Sequence, residues 1–180
     1  MDGKVRVLKK LLFVCSGNSC RSPLAEGIAK RIFTEGLLEM IEVSSAGSSA
    51  VDGLPASSLA VEVARKHSID LSNHRTRLLD RALIRNADLI ITMGSKHKET
   101  VGVIEPAALG YTYLLTDFCG EKTGDIPDPI GLGAEQYEET YRVLEACIRR
   151  LSEKMGSFEG WKERPTGRSD RRKADAASEE

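Results

Sequence analysis

Short apolar runs alternate with helical patterns along most of the chain. The first run, residues 11–15, follows two lysines and ends in a small polar loop, which is typical of a buried parallel strand. From Pro23 onward, apolar residues recur every three or four positions, as in a helix with one buried face. Pro23 suits the first turn of that helix, and Ser22 is placed to cap it. The pattern therefore predicts a strand over 9–15, a short loop and a helix.

The same alternation continues to residue 155. It predicts three more strands, at residues 41–47, 88–93 and 112–115. The predicted helices cover residues 55–67, 78–86, 96–103 and 134–155, and a loop rich in Gly, Asp and Pro covers 120–133. Repeated alternation of strand and helix predicts an α/β fold, in which an open, doubly wound, four-stranded parallel sheet has helices on both faces.

Composition limits the number of domains and the compartment. The chain has 180 residues, 41% of them hydrophobic, which is enough for one core. We therefore expect one domain over residues 1–160 and a disordered charged tail over 161–180. The longest apolar stretch is far shorter than the roughly 20 residues of a membrane span, and residues 1–10 lack an apolar signal segment. These features predict a cytoplasmic monomer that does not bind membranes.

Charge and cysteine content narrow the function classes further. The 26 basic and 27 acidic residues leave a formal net charge of -1, so no global field favours nucleic acid, and any anion site must be local. Cys15, Cys20, Cys119 and Cys147 are too few for a disulfide framework. All four are expected to be thiols.

The candidate chemistry lies in the loop between the first predicted strand and helix, where residues 15–22 are CSGNSCRS. A helix N-terminus offers free N–H groups and the positive end of the helix dipole, which favour an anion. Gly17 and Asn18 tolerate the left-handed backbone that turns successive N–H groups inward. The Arg21 guanidinium matches two phosphate oxygens. The loop is predicted to be a phosphate cradle made by Ser16, Gly17, Asn18, Ser19, Cys20, Arg21 and Ser22.

Cys15 opens this loop and is the candidate nucleophile. Its sulfur would lie beneath a bound phosphorus atom, in a positive potential that favours the thiolate. The alternative is a buried thiol at a strand end, the commonest fate of a lone free cysteine. The arginine six positions later favours the catalytic interpretation.

A general acid is expected from a second loop, because the leaving group of a phosphoryl transfer to a thiolate needs a proton. Asp128 lies between Pro127 and Pro129, which stiffen the backbone on both sides. Asp125 is a competitor three residues earlier, and an ordinary Asp-Pro turn is the alternative. The assignment of Asp128 depends on the neighbouring Cys15 loop.

Taken together, these segments closely resemble the signature of the low molecular weight protein-tyrosine-phosphatase family. The resemblance is carried, in family order, by FVCSGNSCRSPLAE at 13–26, SAG at 45–47, DLSNHR at 70–75, ADLIITM at 87–93 and DIPDPIG at 125–131. It implies the flavodoxin-like form of the predicted fold. It also implies phosphorylated proteins as partners, with no metal and no cofactor.

The resemblance implies a role for each residue of the reacting group. Cys15 would be the nucleophile, Arg21 the transition-state clamp, Asp128 the general acid and then base, and Ser22 the hydroxyl donor to the thiolate. Cys20 would form a reversible disulfide with Cys15 that shields the nucleophile from overoxidation. The alternative for Cys20 is packing within the loop.

The resemblance also implies residues that support the loop. Asn18 would hold its strained shape, with Ser45 and His74 beneath it. From the residues alone, His74 is equally a surface or capping histidine. His67 and His97 are expected to be exposed.

The choice of substrate depends on the rim of the site. Members of the family that act on phosphotyrosine line the entrance with aromatic residues, whereas here Ile130 follows the Asp-Pro and residues 48–54 include no aromatic. Four positions after the nucleophile, such members often have a bulky apolar residue, and the bacterial protein-arginine phosphatases have threonine. This chain has Ser19, a small hydroxyl able to bond a guanidinium. Phosphoarginine is favoured slightly over phosphotyrosine.

Two other functions compete with phosphatase activity. Thioredoxin-coupled arsenate reductases share the fold and a similar loop, but they need a resolving pair of cysteines in mid-chain, and none lies between Cys20 and Cys119. A non-catalytic phosphate-binding module is the second alternative. The presence of Cys15, Arg21 and Asp128 together argues against it.

Overall fold

The structure is a computed structural model that describes residues 8–34, 38–119 and 124–156. The predicted tail, 161–180, lies outside the described residues, as do residues 120–123 of the predicted loop. Among the described residues, no helix has the length and apolar character needed to cross a membrane.

Within the ranges that the structure describes, four strands form one parallel sheet, as the alternating pattern predicts. They are β1 (Lys10–Cys15), β2 (Glu42–Gly47), β3 (Leu89–Thr92) and β4 (Thr112–Leu114). The strand order is β2-β1-β3-β4, and each neighbouring pair is parallel. The chain therefore moves outward from β1 in both directions, and β1 and β3 border the point where the direction of winding reverses. Ligands of open α/β sheets bind at this point, beyond the carboxyl ends of the strands.

In the described part of the chain, five α-helices cover the two faces of the sheet. They are α1 (Arg21–Thr34), α2 (Ser58–Lys66), α3 (Arg81–Asn86), α4 (Ser95–Ile104) and α5 (Ala134–Gly156). Short 3₁₀ helices precede and follow β4, at Pro106–Tyr111 and Leu115–Phe118.

The sheet separates two cores because successive side chains of a strand point to opposite faces. Leu11 and Phe13 of β1 pack with α1, α2 and α5. Leu12 and Val14 pack with α3 and α4. Since β1 is buried on both faces, it is a continuous apolar run rather than an alternating one.

Three helix starts differ by two or more residues from the sequence prediction. α2 begins at Ser58, not 55, because Ser57 caps it by accepting from the Ala60 N–H at 3.4 Å. α3 begins at Arg81, not 78, because Asp80 caps it by accepting from the Leu83 N–H at 2.7 Å. Leu78 is instead extended and bridges to Gly47 at the end of β2. α1 begins at Arg21, so the prediction that Ser22 caps this helix is wrong.

Two of the four cysteines are bonded to each other, contrary to the expectation that all four are thiols. Cys119 and Cys147 form a disulfide, with their Cα atoms 4.5 Å apart. The bond ties the end of the second 3₁₀ helix to α5. Composition does not detect such a pair because it measures cysteine density, whereas bonding depends on two side chains meeting in the fold. Cys15 and Cys20 are free and buried.

The end of β2 lies unusually close to the loop that follows β1. A Cβ atom at Gly47 would lie 2.5 Å from the Ser16 carbonyl oxygen and 2.8 Å from both Ala50 Cβ and the Asn18 nitrogen. Backbone atoms make up two of these three contacts, so they cannot move aside as a flexible side chain can. Glycine at 47 therefore permits the approach of β2 to this loop.

Gly47→Ala should destabilise the protein by about 1–3 kcal/mol, because the added methyl group overpacks this contact. Gly110→Ala is the matched control, since a Cβ at Gly110 meets nothing within 4 Å. Urea denaturation of both variants measures the effect. Equal midpoints for Gly47→Ala and wild type would contradict the close approach.

Candidate functional site

The loop between β1 and α1 is wound so that its carbonyl groups point away from its centre. The carbonyl oxygens of Cys15 and Ser16 accept from the N–H groups of Ser48 and Ser49, at 2.8 and 3.0 Å. The Ser19 carbonyl accepts from Ser57 N–H at 2.8 Å. These bonds fasten the outside of the loop to the segment between β2 and α2.

The N–H groups of the same loop have no acceptor among the described residues. Within residues 8–34, 38–119 and 124–156, the backbone N–H groups of 17–22 donate to no other group. Asn18 has a φ of 53°, which turns the chain in the way that brings successive N–H groups together. Gly17, also expected to tolerate this region, does not adopt it. Free N–H groups at the start of a helix are the kind of donors that anions bind.

Asn18 is fully buried and uses its polar groups to hold the loop. Its Nδ2 donates to Ser22 Oγ and Ser45 Oγ, both at 2.9 Å. Its Oδ1 accepts from the Arg77 N–H at 2.8 Å, and its carbonyl oxygen accepts from His74 Nε2, also at 2.8 Å. The bond to a carbonyl fixes the proton of His74 on Nε2. The structure thus places Ser45 and His74 against Asn18.

Ser22 connects this network to Cys15. Its Oγ lies 3.0 Å from Cys15 Sγ and 3.4 Å from the Ala46 carbonyl oxygen. Because Asn18 donates to Ser22 Oγ, the Ser22 hydroxyl proton is left to donate, and Cys15 Sγ is its nearer acceptor. The arrangement suits a sulfur that carries negative charge.

Arg21 lies at the mouth of the loop and is only 6% exposed. Its Nη1 donates to the Ile126 carbonyl oxygen at 3.1 Å, and its Nη2 donates to Ser16 Oγ at 3.2 Å. Nη2 also forms an ion pair with Asp128. The guanidinium therefore joins the phosphate-binding loop to the segment that carries the candidate acid.

The structure separates the two aspartates that the sequence leaves in competition. Asp125 accepts from the Ser95 N–H at 2.8 Å and from Ser95 Oγ at 3.3 Å, so its carboxylate stabilises the first residue of α4. Asp128 faces Arg21 through one oxygen and accepts from the Ile130 N–H through the other, at 3.2 Å. Its side chain is 40% exposed. Asp128 is the carboxyl beside the loop.

Cys20 is buried in the same loop. Burial raises the pKa of its thiol to about 12, and the nearby Cys15 adds to the rise. Cys20 therefore remains a thiol at neutral pH.

The rim of the site is aliphatic. Val51, Leu54, Ile130 and Leu132 are each more than half exposed. Val51 and Leu54 follow Ser48 and Ser49, whose N–H groups bind the loop. Ile130 and Leu132 follow Asp128. Among the described residues, no group of three or more His, Cys, Asp or Glu side chains could hold a metal ion.

The prediction that His97 is exposed is wrong. His97 is 7% exposed, and its Nε2 lies 2.9 Å from Ser16 Oγ. Burial, and then the charge of Arg21, lower the pKa of the imidazole. The helical period carries a signal for this position, because His97 and the buried Val101 lie four residues apart on one face of α4.

The prediction for His67 is also wrong. His67 stacks on Tyr141, with ring centroids 3.8 Å apart, and its Nε2 lies 2.7 Å from Glu138 Oε1. Its side chain is 30% exposed. These contacts attach the end of α2 to α5 and lie outside the loop.

Comparisons with known proteins agree with the geometry of this site. The sequence model of the family described as low molecular weight phosphotyrosine protein phosphatase matches residues 10–158. The low molecular weight protein-tyrosine-phosphatase Wzb of Salmonella typhimurium is 34% identical over 154 residues, which cover 86% of this chain and 99% of Wzb.

Solved structures include proteins with a different stated substrate. The YwlE arginine phosphatase from Geobacillus stearothermophilus is 36% identical and has a TM-score of 0.76, covering 83% of this chain and 94% of its own. A YwlE arginine phosphatase mutant with a phosphorylated active-site serine is 31% identical and has a TM-score of 0.78, covering 83% of this chain and 97% of its own.

Asn18→Ala should weaken binding of inorganic phosphate by about tenfold or more, because it removes the side-chain bonds that hold the loop and leaves buried polar partners unpaired. Asn73→Ala, at an exposed asparagine, is the control. Isothermal titration with phosphate gives the affinities. Unchanged affinity in Asn18→Ala would show that the loop keeps its shape without this network.

Proposed function

The chain belongs to the low molecular weight phosphotyrosine protein phosphatase family and is a cysteine-based protein phosphatase; from that premise we propose that it hydrolyses phosphorylated protein side chains through a phosphocysteine on Cys15. The observation that carries this proposal is the meeting of three groups at one loop. Cys15 lies at its base, Arg21 at its mouth, and Asp128 against Arg21.

Substrate binding uses the free N–H groups. A phosphoryl dianion accepts from the N–H groups of residues 17–22, and Arg21 neutralises its remaining charge. The dipole of α1 adds to this attraction at its N-terminus. Such fixed donors are worth most where charge develops in the transition state, because they need no reorganisation.

In the first chemical step, the Cys15 thiolate attacks phosphorus and forms a P–S bond. The bond from phosphorus to the leaving nitrogen or oxygen breaks, and Asp128 gives that atom its proton. Ser22 stabilises the thiolate through the 3.0 Å contact to Cys15 Sγ. The YwlE mutant with a phosphorylated active-site serine supports a covalent phosphoryl intermediate.

In the second step, water attacks phosphorus from the side that the leaving group has vacated. Asp128, now a carboxylate, takes the proton of that water, the P–S bond breaks, and Cys15 returns to the thiolate. Inorganic phosphate leaves the loop. Asn18, Ser45 and His74 serve this cycle as the support that keeps the loop in shape.

Cys20 is proposed as the thiol that protects Cys15 when Cys15 is oxidised. A sulfenic acid on Cys15 would condense with the Cys20 thiol, form a disulfide and release water. Both cysteines are free and buried in the same loop.

We assign phosphoarginine as the favoured substrate. Ser19 presents a small, half-buried hydroxyl in the loop, and its carbonyl is fixed by Ser57. The hydroxyl accepts a guanidinium N–H, and Asp128 protonates the departing nitrogen. The aliphatic rim has no aromatic ring among residues 48–54 and 124–133 to stack on a tyrosine. YwlE, an arginine phosphatase by name, is similar over most of the chain.

Phosphotyrosine is the second candidate. The observation in its favour is the similarity to Wzb, a protein-tyrosine-phosphatase by name, over 86% of this chain. An exposed aliphatic rim also offers a tyrosine ring an apolar surface, although without stacking.

Asp128→Ala should lower kcat by about 10²–10⁴-fold on phenyl phosphate and far less on p-nitrophenyl phosphate, whose leaving group needs little protonation. Asp125→Ala is the matched control, because Asp125 fastens α4 and does not face Arg21. Its losses should be the same for both substrates. Steady-state kinetics with the two esters measure this difference. A leaving-group effect in Asp125→Ala, or its absence in Asp128→Ala, would reverse the assignment.

The substrate assignment predicts that kcat/KM on a phosphoarginine peptide exceeds that on the matching phosphotyrosine peptide by about tenfold or more. Ser19→Ala should lower the phosphoarginine value more than the phosphotyrosine value, since only the first substrate has a guanidinium to bond. Kinetics are run without metal, and Cys15→Ser, which should bind phosphate without turnover, is the blank.

A preference for phosphotyrosine would overturn the arginine assignment and leave the phosphatase proposal intact. No turnover of either peptide, with phosphate still bound, would support a phosphate-binding module. Turnover by Cys15→Ser equal to wild type would remove Cys15 as nucleophile.

A further inference from the structure

His97 is an unexpected histidine beside the phosphate-binding loop. It lies in the first turn of α4, which begins at Ser95, separated by two residues from the end of β3, and places the side chain at the carboxyl end of the sheet. The residue is 7% exposed and touches the loop through Ser16. It contacts neither Cys15 nor Asp128 by a hydrogen bond among the described residues.

Ser16 Oγ is shared by two partners. Arg21 Nη2 lies 3.2 Å away and His97 Nε2 lies 2.9 Å away. A hydroxyl has one proton to donate and two lone pairs that accept. Arg21 can only donate, so it takes one lone pair of Ser16 Oγ. The tautomer of His97 decides whether the Ser16 proton remains free.

The other nitrogen of His97 distinguishes the two tautomers. Nδ1 is buried, and no group among the described residues bonds to it. With the proton on Nδ1, a buried donor would be left without an acceptor, and the Ser16 hydroxyl would have to donate its proton to Nε2. With the proton on Nε2, Nδ1 is a bare lone pair, while Nε2 donates to Ser16 Oγ. Because orphaned buried donors are rarer than under-used acceptors, we expect the second tautomer.

The charged surroundings favour a neutral ring. Burial and Arg21 lower the pKa of His97, and Asp125 and Asp128 oppose that shift more weakly. A neutral His97 avoids a second buried cation beside Arg21. It has one N–H to place, and Ser16 Oγ is the acceptor within reach.

We propose that His97 is a positioning residue, which donates its Nε2–H to Ser16 Oγ and so leaves the Ser16 hydroxyl proton to a phosphoryl oxygen of the substrate. Both lone pairs of Ser16 Oγ are then filled, one by Arg21 and one by His97. The remaining O–H bond is aimed by these two donors. Ser16 thereby adds a side-chain donor to the backbone N–H groups of the loop. This inference rests on the proposed function, because it assumes that the loop binds a phosphoryl group.

The first test is the tautomer itself. Long-range ¹H–¹⁵N NMR of the full-length protein distinguishes a protonated Nε2 from a protonated Nδ1. We expect a neutral ring with the proton on Nε2. A proton on Nδ1 would overturn the proposal. This measurement uses wild-type protein, so it does not depend on whether a variant folds or on any turnover.

The second test is a double-mutant cycle with inorganic phosphate as the probe. Ser16→Ala should weaken phosphate binding by about tenfold, the value of one hydrogen bond to a charged group. His97→Asn should weaken it by about fivefold, because its amide is too short to reach Ser16. His97→Gln should recover most of that loss, since its amide nitrogen reaches the place of Nε2. In the Ser16→Ala background, His97→Asn should cause no further loss.

The outcomes separate the proposal from its alternatives. Additive losses in the double variant would mean that His97 acts on packing and not through Ser16, and would overturn the proposal. Equal losses in His97→Gln and His97→Asn would do the same. If wild type binds phosphate but turns over no phosphorylated peptide, the proposed function is wrong. The double-mutant cycle still tests the role of His97 in that case, because it measures phosphate binding and not turnover. Thermal unfolding of each variant checks that the fold is retained.

Discussion

The left-handed turn at Asn18 is the constraint on which the rest of the site depends. A non-glycine residue with positive φ is strained, and the four hydrogen bonds made by its side chain and carbonyl offset that strain. The turn directs the N–H groups of 17–22 to one side and sends the carbonyl groups to the other. The outward carbonyl groups are bonded to the segment after β2. The loop therefore presents its free N–H groups before any anion binds, and an anion does not have to induce this shape.

Elements from both faces of the sheet meet at this loop. Ser57, at the start of α2, binds the Ser19 carbonyl, and His97 reaches Ser16 from α4 on the opposite face. They converge because the loop follows β1 beside the point where the winding reverses. Close approach needs a residue without a side chain at Gly47, where a Cβ would collide with the loop backbone. The geometry of the site therefore depends on elements from the whole fold, although the candidate reacting groups other than Asp128 all lie within residues 15–22.

The sequence predicts the parts of this arrangement that are encoded locally. The four parallel strands and the loop before α1 follow from apolar runs and loop chemistry, and the structure confirms the fold. The sequence favours Asp128 over Asp125 because Asp128 lies between two prolines, but both belong to one short loop, and only the fold shows which one faces Arg21. His97 is missed because a lone polar residue in a helix resembles a solvated one unless its i+4 neighbour is considered. The disulfide between Cys119 and Cys147 is missed because bonding depends on tertiary proximity.

Arg21 links the electrostatics of the resting site to the proposed reaction. A guanidinium that is 6% exposed has lost most of its hydration, and removing its anionic partner would leave a buried charge uncompensated. In the structure, Asp128 supplies the balancing charge. In the proposed reaction, an incoming phosphoryl group replaces Asp128 as that partner, so the buried cation is compensated at each stage. The same exchange frees the Asp128 carboxylate from Arg21, so that it takes up a proton from solvent and faces the leaving atom as its acid. Binding of the phosphoryl group and departure of Asp128 from Arg21 are then one event. Because His97 is neutral, Arg21 is the cation that changes partner in this event.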